Sequence, residues 1–130
     1  MNTSNIVIGG ILLLVGLIHI LPIAGVMGQQ QLQSLYGLNQ ISQTTELLLR
    51  HRAVLFFMLG LSLLTVAFYP SWHLAGLLVA LLATSSFIFL SHGLDGLSSE
   101  VKRVVLIDKL CVALVVIALV LKGVIELIHR

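Results

Sequence analysis

The sequence predicts an all-α integral membrane protein: a four-helix transmembrane bundle with an interfacial segment between its first two helices. Composition is the first reason, because the chain is 58% hydrophobic and only 9% charged. A soluble domain carries about a quarter charged residues to cover its surface. The second reason is the pattern, since the apolar residues fall into four long stretches. One transmembrane domain, residues 1–130, accounts for the whole length.

The four apolar stretches predict helices close to the ~20 residues that a hydrocarbon core of ~30 Å requires. Their approximate bounds are 6–27, 53–69, 74–90 and 104–121. The mean hydropathy of the chain, +1.12, supports the same class of protein. Between the second and third helices, the sequence Pro70-Ser71-Trp72 predicts a tight turn.

The first predicted helix carries an unusual polar residue, His19. It shares one helical face with Gly9 and Gly16, and small residues allow helices to pack closely in lipid. This face should therefore point into the bundle. Pro22 should bend the helix and leave the carbonyl of Ile18 without its usual donor. We expect His19 either to bond that carbonyl or to contact a ligand or a proton.

The polar stretch 28–45 predicts the interfacial segment. Leu32, Leu35 and Tyr36 have the spacing of one face of a short amphipathic helix, and Gly37 is expected to end it. A tyrosine at the level of the lipid headgroups favours a position on the membrane surface.

The start of the second transmembrane helix predicts a cap and an ion pair. Thr44 or Thr45 is expected to cap the helix, and Glu46 is favourably placed in its first turn. Glu46 and Arg50 lie four residues apart, in the better orientation for a helical ion pair. The helix therefore carries its charges before it enters the hydrocarbon.

The distribution of cations predicts the orientation in the membrane. Loops one and three hold five lysines and arginines, whereas the opposite side has only Lys122, Arg130 and the terminal amine. The five are Arg50, Arg52, Lys102, Arg103 and Lys109. By the positive-inside rule, both loops face the cytoplasm and both termini lie outside.

With this topology, most ionisable residues gather at the cytoplasmic end of the bundle. This polar cluster, the candidate ligand-binding site, comprises His19, Glu46, Arg50, His51, Arg52, His92, Asp95, Asp108 and Lys109. Ionisable groups at membrane depth are costly, so they pair, line a wet cavity or mark a pathway. Simpler interpretations are that the cations anchor helices at the headgroups and that Asp108 forms an ion pair with Arg50 or Arg52.

No pattern in the sequence predicts a cofactor, a metal site or a catalytic residue. No HxxxH, HxxE or Cys/His cluster places two ligands on one helical face. Ser85, Ser86 and Cys111 have no base near them in the sequence, and Gly9-Gly10 opens a helix rather than a phosphate loop. The single cysteine excludes an intrachain disulfide. A net charge of +2 reflects cations beside lipid headgroups, and no nucleic-acid partner is expected.

Three stretches carry a resemblance to known proteins. They are Leu17-Ile18-His19-Ile20-Leu21-Pro22 with Gly25 and Gly28, then Leu35-Tyr36-Gly37, then Leu48-Leu49-Arg50-His51-Arg52-Ala53-Val54-Leu55-Phe56, with a weaker match at Arg103-Val104-Val105 and Asp108. Together they resemble a family of small four-helix bacterial inner-membrane proteins of unknown function. The resemblance spans nearly the whole chain and implies a multi-pass protein of the bacterial inner membrane. The layout is also similar to that of the DoxX-like four-helix proteins.

Some members of that family carry the label of a phosphopantetheine adenylyltransferase, which the residues here do not support. That enzyme class is similar to other nucleotidyltransferases in having a soluble α/β fold and a His-x-Gly-His motif. The sequence Ser91-His92-Gly93-Leu94 supplies only half of the motif. We therefore do not expect an adenylyltransferase.

Three kinds of function stay open. The favoured one is non-enzymatic: an accessory subunit of a larger membrane complex, or a binder of a small amphiphile such as a lipid or quinone. The second is a small proton-coupled transporter that acts as a homo-oligomer, with His19 or Asp108 as the titrating group. It is similar to the small multidrug transporters but lacks their glutamate in the first helix. The third is a membrane enzyme on a lipid-like substrate, with His51 or His92 as acid–base.

Overall fold

The structure is a computed structural model that describes residues 3–128, and within them it contains five α-helices, two 3₁₀ segments and no strand. The helices are α1 (Thr3–Ile20), α2 (Gln29–Tyr36), α3 (Gln43–Val66), α4 (His73–Ser91) and α5 (Ser99–Ile128), and the 3₁₀ segments are Leu21–Met27 and Pro70–Trp72. The predicted all-α class is confirmed. Arg130 and the terminal amine, which the orientation argument uses, lie outside the described residues.

Four helical segments are long and apolar enough to cross a membrane, and they coincide with the four predicted spans. Their bounds are Thr3–Met27, Gln43–Val66, Pro70–Ser91 and Ser99–Ile128. Two of them extend well beyond the apolar stretch: α3 begins before it, and α5 continues after it. The helices continue into these more polar ends because each added residue gains a backbone hydrogen bond, whether or not its side chain suits lipid.

The four long helices pack in a defined order. The contacts between α1 and α3 and between α4 and α5 are the most extensive, and α1 also packs against α5 and α4. By contrast, α3 and α5 make almost no contact with each other. These two helices therefore leave room for a cavity at one end of the bundle.

Glycines set the distance between α1 and α3. A Cβ built on Gly60 would lie 2.7 Å from the carbonyl oxygen of Gly16, and one built on Gly16 would lie 3.0 Å from the carbonyl oxygen of Gly60. The two backbones therefore touch at a point where neither residue can carry a side chain. The predicted packing face of α1 is confirmed, since Gly9, Gly16 and His19 are all buried.

Pro22 has the predicted effect on the first helix. Regular α-helix ends at Ile20, and the chain continues to Met27 as a 3₁₀ helix with the proline in its first turn. Proline has no N–H to donate to the carbonyl four residues earlier, so the tighter 3₁₀ pattern takes over. This change of pitch redirects the chain toward α2.

The short helix predicted between the first two long helices is present, with the predicted end. α2 ends at Tyr36, and Gly37 follows in the left-handed conformation at φ 63°. Leu32 and Tyr36 are buried, because α2 packs against the 3₁₀ segment and α5. The predicted apolar face of this helix therefore covers the bundle.

The cap of α3 differs from the prediction. Ser42 is the N-cap residue, and its hydroxyl accepts a hydrogen bond from the N–H of Thr45 at 3.1 Å. Thr44 and Thr45 are thus already inside the helix. Serine, a strong N-cap residue, precedes the threonines, so the helix begins two residues before the start that a Thr44 cap would give and three before that of a Thr45 cap. The predicted tight turn at Pro70–Trp72 is present as a 3₁₀ turn.

Candidate functional site

A cavity of about 200 Å³ lies at the end of the bundle where α3 and α5 stand apart. Residues of α1, the first 3₁₀ segment, α2, α3 and α5 line it. Most of the wall is apolar, with Ile18, Leu35 and Val104 among its residues. Three ionisable side chains from the predicted polar cluster also line it: His19, Arg52 and Asp108. This space is called the head cavity below.

His19 is held by one of its two ring nitrogens. Nδ1 lies 2.8 Å from the carbonyl oxygen of Val15, and since a carbonyl only accepts, Nδ1 must donate the proton. In the neutral ring Nε2 is then a bare acceptor, and it has no hydrogen-bond partner among the described residues. The ring is only 3% exposed. His19 thus offers one fixed acceptor to the head cavity.

The acceptor of the His19 bond is not the predicted one. We expected the carbonyl of Ile18, which Pro22 leaves without a donor. Helical side chains point back toward the N-terminus of their helix, so the imidazole reaches the carbonyl one full turn earlier, at Val15. The carbonyl of Ile18 adjoins the residue itself and lies in the wrong direction.

Arg52 lies among three aromatic rings. Its guanidinium carbon is 4.5 Å from the ring centre of Phe87, 4.9 Å from that of Phe56 and 5.6 Å from that of Tyr36. These distances are within the range of cation–π attraction. No carboxylate forms an ion pair with Arg52 among the described residues. The rings stabilise the cation while they leave its N–H donors without a protein acceptor.

Asp108 is buried, with 9% of its surface exposed. The predicted ion pair with Arg50 or Arg52 is wrong, because within the described residues Asp108 has no cation within the ~4 Å of an ion pair. Arg50 instead pairs with Glu46 at 3.5 Å, as predicted. Arg52 lies among the aromatic rings, and both Arg52 and Asp108 line the head cavity. Asp108 and Arg52 therefore face the same space without touching.

Two loops hold Tyr36 over the head cavity. The hydroxyl of Ser98 donates to the carbonyl of Tyr36 and also accepts from the N–H of Val101, where it caps α5. A side chain at Gly37 would overlap the carboxylate of Glu100. The glycine that ends α2 thus lets α2 dock on the start of α5.

The other predicted cluster residues do not reach the head cavity. Glu46 and Arg50 pair with each other on the outer part of α3, and His51 is exposed beside them. Asp95 and Lys109 are exposed. His92 lines a shallow open groove between α4 and α5, where its Nδ1 donates to the carbonyl of Ile88 at 3.2 Å.

Sequence reasoning missed the aromatic rings around Arg52 and the second buried histidine, His73. Phe56 was identifiable, since it lies one turn after Arg52, and residues four apart share a helical face. The ring of Phe87 comes from a different helix, so no spacing reveals it. His73 is fully buried at the far end of the bundle, where its Nε2 lies 3.1 Å from the carbonyl oxygen of Ala67.

Metal binding has no support from the geometry of residues 3–128. No three histidine, cysteine, aspartate or glutamate side chains gather there as a metal site would require. The head cavity instead combines one cation, one carboxylate and one imidazole acceptor, a set suited to hydrogen bonds with an organic polar group.

Comparisons of the chain with protein-family models, with curated proteins and with solved structures give no match. The resemblance to the bacterial four-helix family therefore stays a prediction.

Proposed function

We propose that this chain is a small integral membrane protein that binds the polar head of a small amphiphile in the head cavity. One observation carries the proposal: Nε2 of His19, the guanidinium of Arg52 and the carboxylate of Asp108 belong to side chains that line one mostly apolar space, and they have no hydrogen-bond or ion-pair partner among the described residues. An ionisable residue inside a membrane protein usually pairs or serves a ligand. His19 and Asp108 are at least nine-tenths buried, and within residues 3–128 none of the three side chains forms an ion pair or a hydrogen bond with another side chain.

Unpaired groups of this kind are costly unless something occupies the space. A buried donor or acceptor without a partner costs about 1–3 kcal/mol, and a charged one more. Nε2 of His19 and the carboxylate oxygens of Asp108 are not fully enclosed, because within residues 3–128 the one fully enclosed side-chain nitrogen or oxygen without a hydrogen-bond partner is Nδ1 of His73. A ligand or water in the head cavity therefore reaches all three groups.

The size of the head cavity favours the head of an amphiphile over a whole soluble ligand. Pockets for drug-sized molecules are usually about 300–1,000 Å³, whereas this one is about 200 Å³. Its wall also includes residues of α3 and α5, two helices whose outer faces are suited to lipid. A ligand that places a polar head inside and leaves its apolar part in the bilayer satisfies both observations.

The proposed setting is the bacterial inner membrane, with loops one and three in the cytoplasm. The five cations in those loops support this orientation, and the family resemblance supports the membrane. Single cysteines at Ser99 and Ser71, in a variant without Cys111, test it by labelling from each side. We expect Ser99 to react only from the cytoplasmic side; labelling of Ser99 from outside would reverse the orientation.

Mass spectrometry of the protein purified from membranes in mild detergent tests the binding function. We expect a stoichiometric amphiphile to stay bound to the wild type. Asp108→Asn should reduce the retained amount, because the carboxylate acceptor is lost, while Lys109→Gln at the neighbouring exposed position should not. Circular dichroism confirms that both variants remain helical. A wild-type protein that retains no amphiphile at all would refute the proposed function.

A second candidate, proton-coupled transport, is favoured by the presence of two titratable groups, His19 and Asp108, in the same cavity. Reconstitution in liposomes with an imposed pH gradient distinguishes it. Substrate movement that depends on the gradient and is lost in Asp108→Asn would favour transport over static binding.

A further inference from the structure

Arg52 borders more than one hollow of this protein. It lines the head cavity, and together with Phe56 it also lines a groove of about 240 Å³ on the outside of the bundle. Arg52 and Phe56 therefore form the wall between the head cavity and this groove, which is called the outer groove below. α3 and α4 make few contacts with each other, which leaves the outer groove open toward the bilayer.

The outer groove is apolar along its length. Leu55, Leu59 and Ala83 line it beside Phe56. Its one hydroxyl, on Ser86, donates to the carbonyl of Ala83 at 2.8 Å and needs no further partner. The groove thus offers hydrocarbon contacts and no open hydrogen-bonding group except the guanidinium of Arg52 at its inner end. An acyl chain suits it.

The head cavity sets a stricter requirement on the ligand. Arg52 supplies only donors, and its planar guanidinium binds phosphate oxygens well. Asp108 and Nε2 of His19 both accept. A group that fills the cavity must therefore offer acceptors to the arginine and donors to the other two. Because Arg52 and Asp108 form no ion pair with each other, the group should also carry a negative charge for one and a positive charge for the other.

Resting on the proposed function, we propose that the ligand is an amine-bearing phospholipid of the phosphatidylethanolamine class. Its phosphate accepts hydrogen bonds from Arg52, and its ammonium group donates to Asp108 and to Nε2 of His19. Its acyl chain lies in the outer groove between α3 and α4. The lipid enters sideways from the bilayer, past Arg52 and Phe56.

Other amphiphile heads meet only part of this requirement. A quinone carbonyl accepts from Arg52 but offers no donor to Asp108 or His19. A phosphatidylglycerol head has hydroxyl donors but brings no positive charge to the carboxylate. A phosphatidylcholine head brings the charge but has no N–H to donate. Of the four heads compared, the ethanolamine head supplies phosphate, positive charge and N–H donors together.

Native mass spectrometry of the protein in nanodiscs tests the proposal. The discs contain equal amounts of phosphatidylethanolamine, phosphatidylglycerol and phosphatidylcholine. We expect the ethanolamine lipid to be retained at least about tenfold over either other lipid, as a charge-assisted hydrogen bond inside a protein implies. Asp108→Asn should bring the three lipids within about twofold of one another. Lys109→Gln should keep the full preference.

A second pair of variants tests the phosphate contact. Arg52→Gln should lose retention of all three lipids, whereas Arg50→Gln, two residues earlier on an exposed part of α3, should behave like the wild type. Arg52→Lys keeps the charge and should restore part of the binding.

The outcomes separate this inference from the proposed function. Equal retention of the three lipids by the wild type, or retention of a quinone or phosphatidylglycerol instead, would overturn the ethanolamine assignment while amphiphile binding holds. A change in preference in Lys109→Gln as large as in Asp108→Asn would also overturn it. Retention of no amphiphile from either membranes or nanodiscs would overturn both.

Discussion

Two buried histidines lie at opposite ends of this bundle, and they are held in different ways. His73 is fully buried, with Nε2 bonded to the carbonyl of Ala67 and Nδ1 sealed without a partner. His19 is 3% exposed, with Nδ1 bonded to the carbonyl of Val15 and Nε2 free beside a cavity. Each ring makes one bond to a backbone carbonyl. Of the two rings, it is His19 that lines the head cavity.

The connections between helices account for the difference. At the His73 end, α3 passes to α4 through one 3₁₀ turn, and Gly9 of α1 packs so closely that a Cβ there would lie 2.8 Å from the carbonyl oxygen of Ala67. At the His19 end, α2 and two longer loops lie between the long helices. A short turn draws its helices together, whereas an inserted helix holds α3 and α5 apart. The end with His73 is therefore closely packed, whereas the end with His19 contains the head cavity.

His73→Ala should have the largest effect on stability. It removes a buried ring and its hydrogen bond, and such large-to-small changes cost about 2–5 kcal/mol of unfolding free energy. Because the change is at the packed end, lipid retention by the folded fraction should stay as in the wild type. Chemical unfolding in mixed micelles measures the first quantity and native mass spectrometry the second. Lost retention in folded protein would mean that the two ends are not independent.

Gly60→Ala should be the next most damaging change. The new methyl group would lie 2.7 Å from the carbonyl oxygen of Gly16, and overpacking of this kind costs about 1–3 kcal/mol. Gly10→Ala is the matched control, since a Cβ there meets nothing within 4 Å. The control should be neutral or slightly stabilising. Equal melting temperatures for the two variants would show that the close approach of α1 and α3 is not required.

His19→Asn should separate binding from folding at the hollow end. The ring already lies beside empty space, so we expect a loss of only about 1 kcal/mol, the value of one hydrogen bond. Amphiphile retention should nevertheless fall strongly, because asparagine does not place an acceptor where Nε2 lies. His19→Ala should lose retention in the same way. If instead both variants unfold readily but keep their ligand, this histidine is structural and resembles His73.

Ser98→Ala should weaken the attachment of Tyr36, which lines the head cavity, to the start of α5. The hydroxyl both caps α5 and bonds the carbonyl of Tyr36, and the loss of an N-cap costs about 0.5–2 kcal/mol. Amphiphile retention should fall a little, because Tyr36 then loses one of its attachments. Ser99→Ala, whose hydroxyl bonds only the exposed carboxylate of Glu100, is the control. Hydrogen exchange at α2 reports the expected loosening, and unchanged exchange would contradict it.

Glu46→Gln should have the smallest effect. The Glu46–Arg50 pair is 3.5 Å long and partly exposed, and surface pairs of this kind contribute about 0–1 kcal/mol. Stability and lipid retention should both stay within error of the wild type. A large drop in retention would bring this pair back into the functional site.

Local patterns in the sequence were enough to predict much of the fold. Four apolar stretches, a proline after His19, a glycine after Tyr36 and a tight turn at Pro70 each act on neighbouring residues, so their effects do not depend on distant parts of the chain. Two predictions were wrong: one depended on the direction in which the His19 side chain points, and the other on which of several hydroxyl residues caps α3. The carbonyl bonded to His19 and the cap of α3 are both decided by geometry within a single turn.

The sequence by itself therefore determined the helical class, the four apolar spans and the candidates His19, Arg52 and Asp108. Only the tertiary structure decided which candidates meet. Spacing along a chain fixes which face of a helix a residue occupies, but it does not fix which helices stand apart. Arg52 turns inward because rings from α2, α3 and α4 surround it, and Asp108 stays unpaired because α5 lies across a cavity from α3. Those distances between helices depend on close contacts such as Gly16 with Gly60, which no local pattern encodes.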